Sequence, residues 1–151
     1  SAVCSPDWTE QAAPCYTRRK WGERMPVSKA MVLFPSPVEQ VWHTVTDLTH
    51  TAWRSDLARV ETLDENRFIE HSKSGYATFF TVTACEPLCL WAFVMENENM
   101  SGSWEGAFES AEGGTRLTCT EAVRWMLPFI PGYLKRQQKL YLDDLRKELL
   151  K

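Results

Sequence analysis

From Leu57 to Arg124 the apolar residues recur with a period of two, and the breaks carry turn chemistry. Those breaks are Asp64-Glu65-Asn66, Lys73-Ser74-Gly75, Glu86-Pro87 and Glu112-Gly113-Gly114. Such residues either tolerate left-handed backbone or hydrogen-bond their own main chain. The alternation predicts strands near 57–63, 67–72, 75–85, 88–96, 102–111 and 114–124. Short connections make sequence neighbours antiparallel, because a parallel pair needs a long crossover. A chain of 151 residues with this pattern has room for one domain and one sheet.

The flanks complete the architecture. Pro26 to Phe34 reads as a first strand, apolar and bounded by prolines. Ser36, Pro37 and Glu39 have the spacing of an N-cap, a first helical residue and a capping box. Val38, Val41, Trp42 and Val45 then stripe one face of a helix that ends near Asp47, and a short second helix or turn follows over 48–53. Pro128 and Pro131 punctuate the last loop, and 132–151 reads as a long helix. Its stripe is Leu134, Gln138, Tyr141, Leu142, Leu145 and Leu149, with Gln138 the one polar interruption. Strands followed by a terminal helix predict an α+β fold with the helices on one side of the sheet.

Parity assigns the faces. An even loop at Glu112-Gly113 sets Phe108 opposite Leu117, Gly106 opposite Cys119 and Trp104 opposite Glu121. One face then holds Trp104, Phe108, Leu117, Cys119 and Val123, and the other Ser103, Glu105, Glu109, Arg116, Thr118 and Thr120. An odd loop would mix acidic residues into the apolar row. At Glu86-Pro87, pairing Cys85 with Leu88 sets Phe80 opposite Phe93 and Val82 opposite Trp91, with Met95 beside them on the inner face. Glu121 is the exception among inner residues. A carboxylate there is costly to desolvate, so it is either a structural group near the sheet end, solvated or bonded to the Trp104 indole, or a polar anchor for a ligand.

Composition narrows the function. Net charge is −3, which argues against a nucleic-acid partner. Apolar runs are far shorter than the roughly 20 residues of a membrane-spanning helix. Seven Trp in so short a chain imply an aromatic core or a ring-lined cavity. Walker, GxGxxG, GxSxG and HExxH motifs are missing, and His43, His50 and His71 have no metal-ligand spacing, so neither metal nor other cofactor is expected. Asp143, Asp144 and Glu148 read as the solvated face of the last helix. The five cysteines (4, 15, 85, 89 and 119) have no framework spacing and read as mostly reduced, buried thiols, with Cys4 and Cys15 able to pair only in an exported protein.

Residues 1–25 carry Pro6, Pro14 and a small basic run of Arg18, Arg19, Lys20 and Arg24. They read as an arm pinned by Trp8, Tyr16 and Trp21, with a membrane-surface segment as the sharper alternative. Ser1 in place of Met points to a processed or engineered start and hence to a leader or anchor upstream. A cytoplasmic location is expected for the protein.

Four stretches in order resemble the START/Bet v 1-like (SRPBCC) helix-grip superfamily, in its bacterial polyketide cyclase/dehydrase-like or lipid-transport-like branch. They are Ser36-Pro37-Val38-Glu39-Gln40-Val41-Trp42 leading to Thr46-Asp47, then Trp53-Arg54-Ser55, then Ser101-Gly102-Ser103-Trp104, and Gly113-Gly114-Thr115-Arg116-Leu117-Thr118 with Thr120-Glu121. The resemblance implies a curved seven-stranded antiparallel sheet around the C-terminal helix, two short helices after the first strand, and a cavity between sheet and helix. It makes 26–151 a single ligand-binding domain and leaves 1–25 outside. The implied partner is a small hydrophobic ligand such as a lipid, polyketide or isoprenoid. No catalytic residue carries over, because the matched motifs belong to the fold.

The expected lining is Trp53, Phe80, Trp91, Phe93, Trp104, Phe108, Tyr141 and Leu145, with Arg54 and Glu121 as polar anchors. This favours a binding module over an enzyme. The alternatives are an aromatase/cyclase or dehydratase using Glu121 as acid or base, and an interaction domain whose cavity is vestigial.

Overall fold

The fold is described from a computed structural model covering residues 27–125 and 132–151. The elements run β1 (Val27–Phe34), α1 (Val38–Thr46), β2 (Leu57–Thr62), β3 (Arg67–Ser72), β4 (Ala77–Glu86), β5 (Leu90–Asn97), β6 (Met100–Ala111), β7 (Gly114–Trp125) and α2 (Tyr133–Leu149). All strands lie in one antiparallel sheet of order β1-β7-β6-β5-β4-β3-β2. The sheet curves around α2, giving an α+β helix-grip fold. The readings for the N-terminal arm, for Cys4 and Cys15, and for the loop at Pro128 and Pro131 fall outside the described residues.

Parity holds at the β6–β7 hairpin, where Trp104 pairs with Glu121, Gly106 with Cys119 and Phe108 with Leu117. Phe108, Leu117, Cys119 and Val123 are fully buried on the inner face. The opposite face is not uniformly wet, because Leu90, Ala92, Ser103 and Ala122 are buried as well. At β4–β5 the inner face is as expected, but the register is shifted by two. Phe80 pairs with Met95 and Val82 with Phe93, followed by an irregularity between Val82 and Ala84. The cause is the turn: Leu88 adopts φ 65°, and Cys89 N–H donates to the Glu86 carbonyl, so the connection takes up more residues than a tight Glu86-Pro87 turn.

The helix termini differ from expectation. Pro37, not Ser36, is the N-cap of α1, and no side chain caps it. Ser36 is instead buried, and its carbonyl accepts a 2.7 Å hydrogen bond from Thr115 Oγ1, which ties the helix entrance to β7. The second short helix is replaced by turns over 48–56. Asp47 Oδ1 accepts from both the backbone and the hydroxyl of Thr49, a local bond that competes with helix continuation.

Gln138 explains its place in the apolar stripe. It is buried, accepts from Ser28 Oγ at 2.7 Å, and donates through Nε2 to the carbonyls of Ser28 and Cys119. Thus α2 is tied to β1 and β7 by a satisfied polar link rather than by apolar packing alone. Asp144 is likewise buried rather than solvated, accepting from the backbone N–H and hydroxyl of Ser55 at 2.9 and 2.7 Å. Cys119 is a free buried thiol, whereas Cys85 and Cys89 are disulfide-bonded and not reduced. Count and local spacing say nothing about which thiols folding brings together.

Candidate functional site

Between α2 and the concave face of the sheet lies a cavity of about 660 Å³. Its sheet wall is Phe80 from β4, Trp91, Phe93 and Met95 from β5, Trp104 from β6, and Glu121 and Val123 from β7. The helix contributes Leu134, Gln138 and Tyr141, and the turn after α1 contributes Trp53 and Arg54. Lys73, Ser74, Tyr76 and Leu140 are exposed lining residues and mark where the cavity meets solvent.

The rings form one connected wall. Phe68 stacks on Phe80 at 4.8 Å, Phe80 meets Phe93 edge-on at 5.0 Å, and Phe93 stacks on its cross-strand partner Trp104 at 5.2 Å. Trp104 contacts Tyr141 at 5.9 Å, and Tyr141 contacts Trp53 at 5.4 Å. Gly106 makes room for this arrangement, since a Cβ there would lie 2.5 Å from the Trp104 ring. Strand geometry therefore supplies apolar surface from alternate residues, and one glycine sets where the largest ring can lie.

The polar groups gather at one end. Arg54 donates to both oxygens of Asp56 at 3.1 and 3.0 Å and to both oxygens of Glu70 at 3.3 Å. Its guanidinium also lies 5.0 Å from the Tyr141 ring centroid. Burial opposes the charge on Arg54, but Glu70 and Asp56 outweigh it, so the group stays cationic. Glu121 is different. No hydrogen bond or ion pair reaches its carboxyl from the described residues. Desolvation raises its pKa from 4.5 to about 7, against the pull of Arg54 and helped by Glu70. Burial also pushes up the Tyr141 phenol and the Cys119 thiol. Near neutral pH the cavity thus presents a carboxyl whose proton affinity burial has raised and a neutral phenol, neither with a hydrogen-bond partner among the described residues.

Of the residues expected on the lining, Trp53, Arg54, Phe80, Trp91, Phe93, Trp104, Glu121 and Tyr141 all border this cavity. Phe108 and Leu145 do not; both are fully buried in the core. They lie past Trp104 and Tyr141 towards the end closed by α1, where Phe108 packs edge-on against Trp42 at 4.9 Å. Arg54 and Glu121 are not joined by an ion pair, because Asp56 and Glu70 hold the guanidinium. Glu70 escaped the sequence reading. Its signal was parity with Phe68, two residues earlier on β3, whose partner Phe80 is on the inner wall. Among the described residues no cluster of His, Cys, Asp and Glu could hold a metal, and no helix is long and apolar enough to cross a membrane.

Solved structures share this fold. The Zhui aromatase/cyclase from Streptomyces sp. R1128 superposes with a TM-score of 0.72 at 14% identity, covering 83% of this chain and 94% of that one. A START superfamily protein from Mycobacterium smegmatis gives 0.69 at 10% identity, covering 82% and 96%. A conserved protein from Geobacillus kaustophilus gives 0.69 at 16%, covering 83% and 95%. Identities this low establish likeness of fold alone. A comparison with curated proteins gives no match. The family described as polyketide cyclase / dehydrase and lipid transport matches residues 25–150. That match spans the sheet, the cavity and both helices, so the chain belongs to the polyketide cyclase / dehydrase and lipid transport family.

Proposed function

We propose that this domain, residues 26–151, binds a small apolar molecule in the cavity between α2 and the sheet. The observation that carries the reading is the ring-lined cavity of about 660 Å³, within the usual ~300–1,000 Å³ scale of ligand pockets. That volume speaks for an open cavity rather than a filled, vestigial one. The lining matches what such pockets need: a mostly apolar wall with a few placed polar groups at one end. Native mass spectrometry of the purified protein tests the reading. A co-purifying apolar adduct, or one taken up on addition of the neutral dye Nile red, is expected. A protein that carries nothing and leaves the dye in water would overturn it.

One observation favours a second reading, an aromatase/cyclase or dehydratase. Glu121 faces the cavity unpartnered with a pKa of about 7, poised to give or take a proton near neutrality. The Streptomyces relative is named as an aromatase/cyclase, which makes a poly-β-ketone the substrate to try. Under this reading Glu121→Gln abolishes turnover while binding survives. Without turnover by the unaltered protein, binding alone remains. The disulfide bonding of Cys85 and Cys89 favours an oxidising compartment over the cytoplasm as the place of action.

A further inference from the structure

The polar end of the cavity has an uneven charge balance. Its carboxylates are Asp47, Asp56, Glu70 and Glu121, whereas the cations bordering the cavity are Arg54 and, at the exposed rim, Lys73. Among the described residues Arg54 is the only cation inside the rim, and it is already engaged. A guanidinium has five N–H donors, and four contacts from Arg54 go to Asp56 and Glu70. One N–H is left over, so a ligand carboxylate could take a bidentate grip on Arg54 only by displacing one of these partners. Among the described residues, other groups on the wall without a hydrogen-bond partner are the Glu121 carboxyl and the Tyr141 hydroxyl, with the indole N–H groups of Trp53 and Trp91 as neutral donors. A phenol and a protonated carboxyl each offer an O–H donor and an acceptor oxygen to a neutral partner. Once Glu121 ionises, its carboxylate repels an anion, while Tyr141 stays neutral.

Resting on the apolar-ligand reading above, we propose that the cavity selects apolar molecules ending in an uncharged oxygen group, a hydroxyl or carbonyl, and excludes the corresponding carboxylates. The neutral oxygen completes the hydrogen bonding of Glu121 and Tyr141. A carboxylate would meet Glu70, Asp56 and Glu121 in a partly desolvated space, where like charges are poorly screened. The groups facing Glu121 are Arg54 and Glu70 from the neighbouring turn and β3, Cys119 on its own strand, and Tyr141 from α2. Among the described residues none of these supplies an unclaimed positive charge.

The test is displacement of Nile red from the full chain by dodecan-1-ol and by dodecanoate, at pH 8 and pH 6. At pH 8 the alcohol should compete at roughly tenfold lower concentration or better, as expected for an anion set against an ionised carboxylate. Dodecanoate stays ionised at both pH values. At pH 6, where Glu121 takes up its proton, dodecanoate competition should improve several-fold while dodecan-1-ol changes little. Glu121→Gln should narrow the gap at pH 8 in the same way. If dodecanoate competes as well as the alcohol at pH 8, the exclusion is refuted while apolar binding stands. If neither the pH change nor Glu121→Gln narrows the gap, Glu121 is not its cause and the proposal falls. If the dye never binds, the underlying reading fails, and this proposal with it.

Discussion

Replacing Glu121 by glutamine should stabilise the folded protein, by an amount that grows with pH. The carboxyl sits on the cavity wall without a hydrogen-bond partner, and desolvation raises its pKa from 4.5 to about 7. In the unfolded chain the same group ionises near the ordinary value. Between those two pH values the folded state therefore holds more protons than the unfolded one, and raising the pH favours unfolding. The loss begins above about pH 4.5, grows until about pH 7 and is then complete. At ~1.36 kcal/mol per pKa unit it amounts to about 3 kcal/mol. Glutamine keeps the shape and does not titrate, so the two proteins should have similar stability at pH 4 and differ by about 3 kcal/mol at pH 8. Urea unfolding at a series of pH values, with disulfides intact in both proteins, measures this directly. With a usual m-value of ~1–3 kcal/mol/M, the midpoints at pH 8 should separate by at least about 1 M. A difference that does not vary with pH, or a glutamine variant less stable at pH 8, would refute the burial of an unpartnered carboxyl.

Gly106→Ala places a Cβ 2.5 Å from the Trp104 ring, so the indole must move. The cost should be ~1–3 kcal/mol of overpacking, with a changed near-ultraviolet circular dichroism spectrum; an unaltered spectrum would mean the ring does not lie over the glycine. Leu145→Ala should cost ~2–5 kcal/mol, since Leu145 is fully buried; a loss under ~0.5 kcal/mol in chemical denaturation would place it outside the core. Ser36→Ala should change stability by less than ~0.5 kcal/mol, because no side-chain bond caps α1. A loss of ~1 kcal/mol or more would restore Ser36 as the cap.

The inner wall was legible in the sequence because a period of two leaves only two faces, and one run of Trp, Phe and Val has to be inside. Glu121 stood out for the same reason, as the one carboxylate falling in that row. The register at β4–β5 was not legible. Both a tight turn and the longer one keep Phe80, Phe93 and Trp91 on the same face, so side-chain parity does not separate them. The ends of the lining were hidden too. Phe108 and Leu145 have the same local pattern as Trp104 and Tyr141, and only the packing of α1 across one end decides which pair meets the cavity. The engagement of Arg54 by Glu70 joins residues on separate elements, and neither local spacing nor composition encodes it.

The sheet order has a consequence for how the chain acquires its structure. Strands β2 to β7 each pair with the next strand in sequence, so that meander can form hairpin by hairpin with short loop closures. β1 is the exception: its partner is β7, with Val27 against Ala122, and Ser28 bonds Gln138 across 110 positions. Closing that loop costs entropy before any contact repays it. During synthesis β1 emerges ahead of every other described element, yet its edge has nothing to pair with until β7 is made. It is first out and can dock only once β7 is made, which leaves the strand waiting during assembly. Pulsed hydrogen exchange during refolding should find β1 amides protected after those of β3 to β6, and protection arriving together would mean the sheet closes in one step.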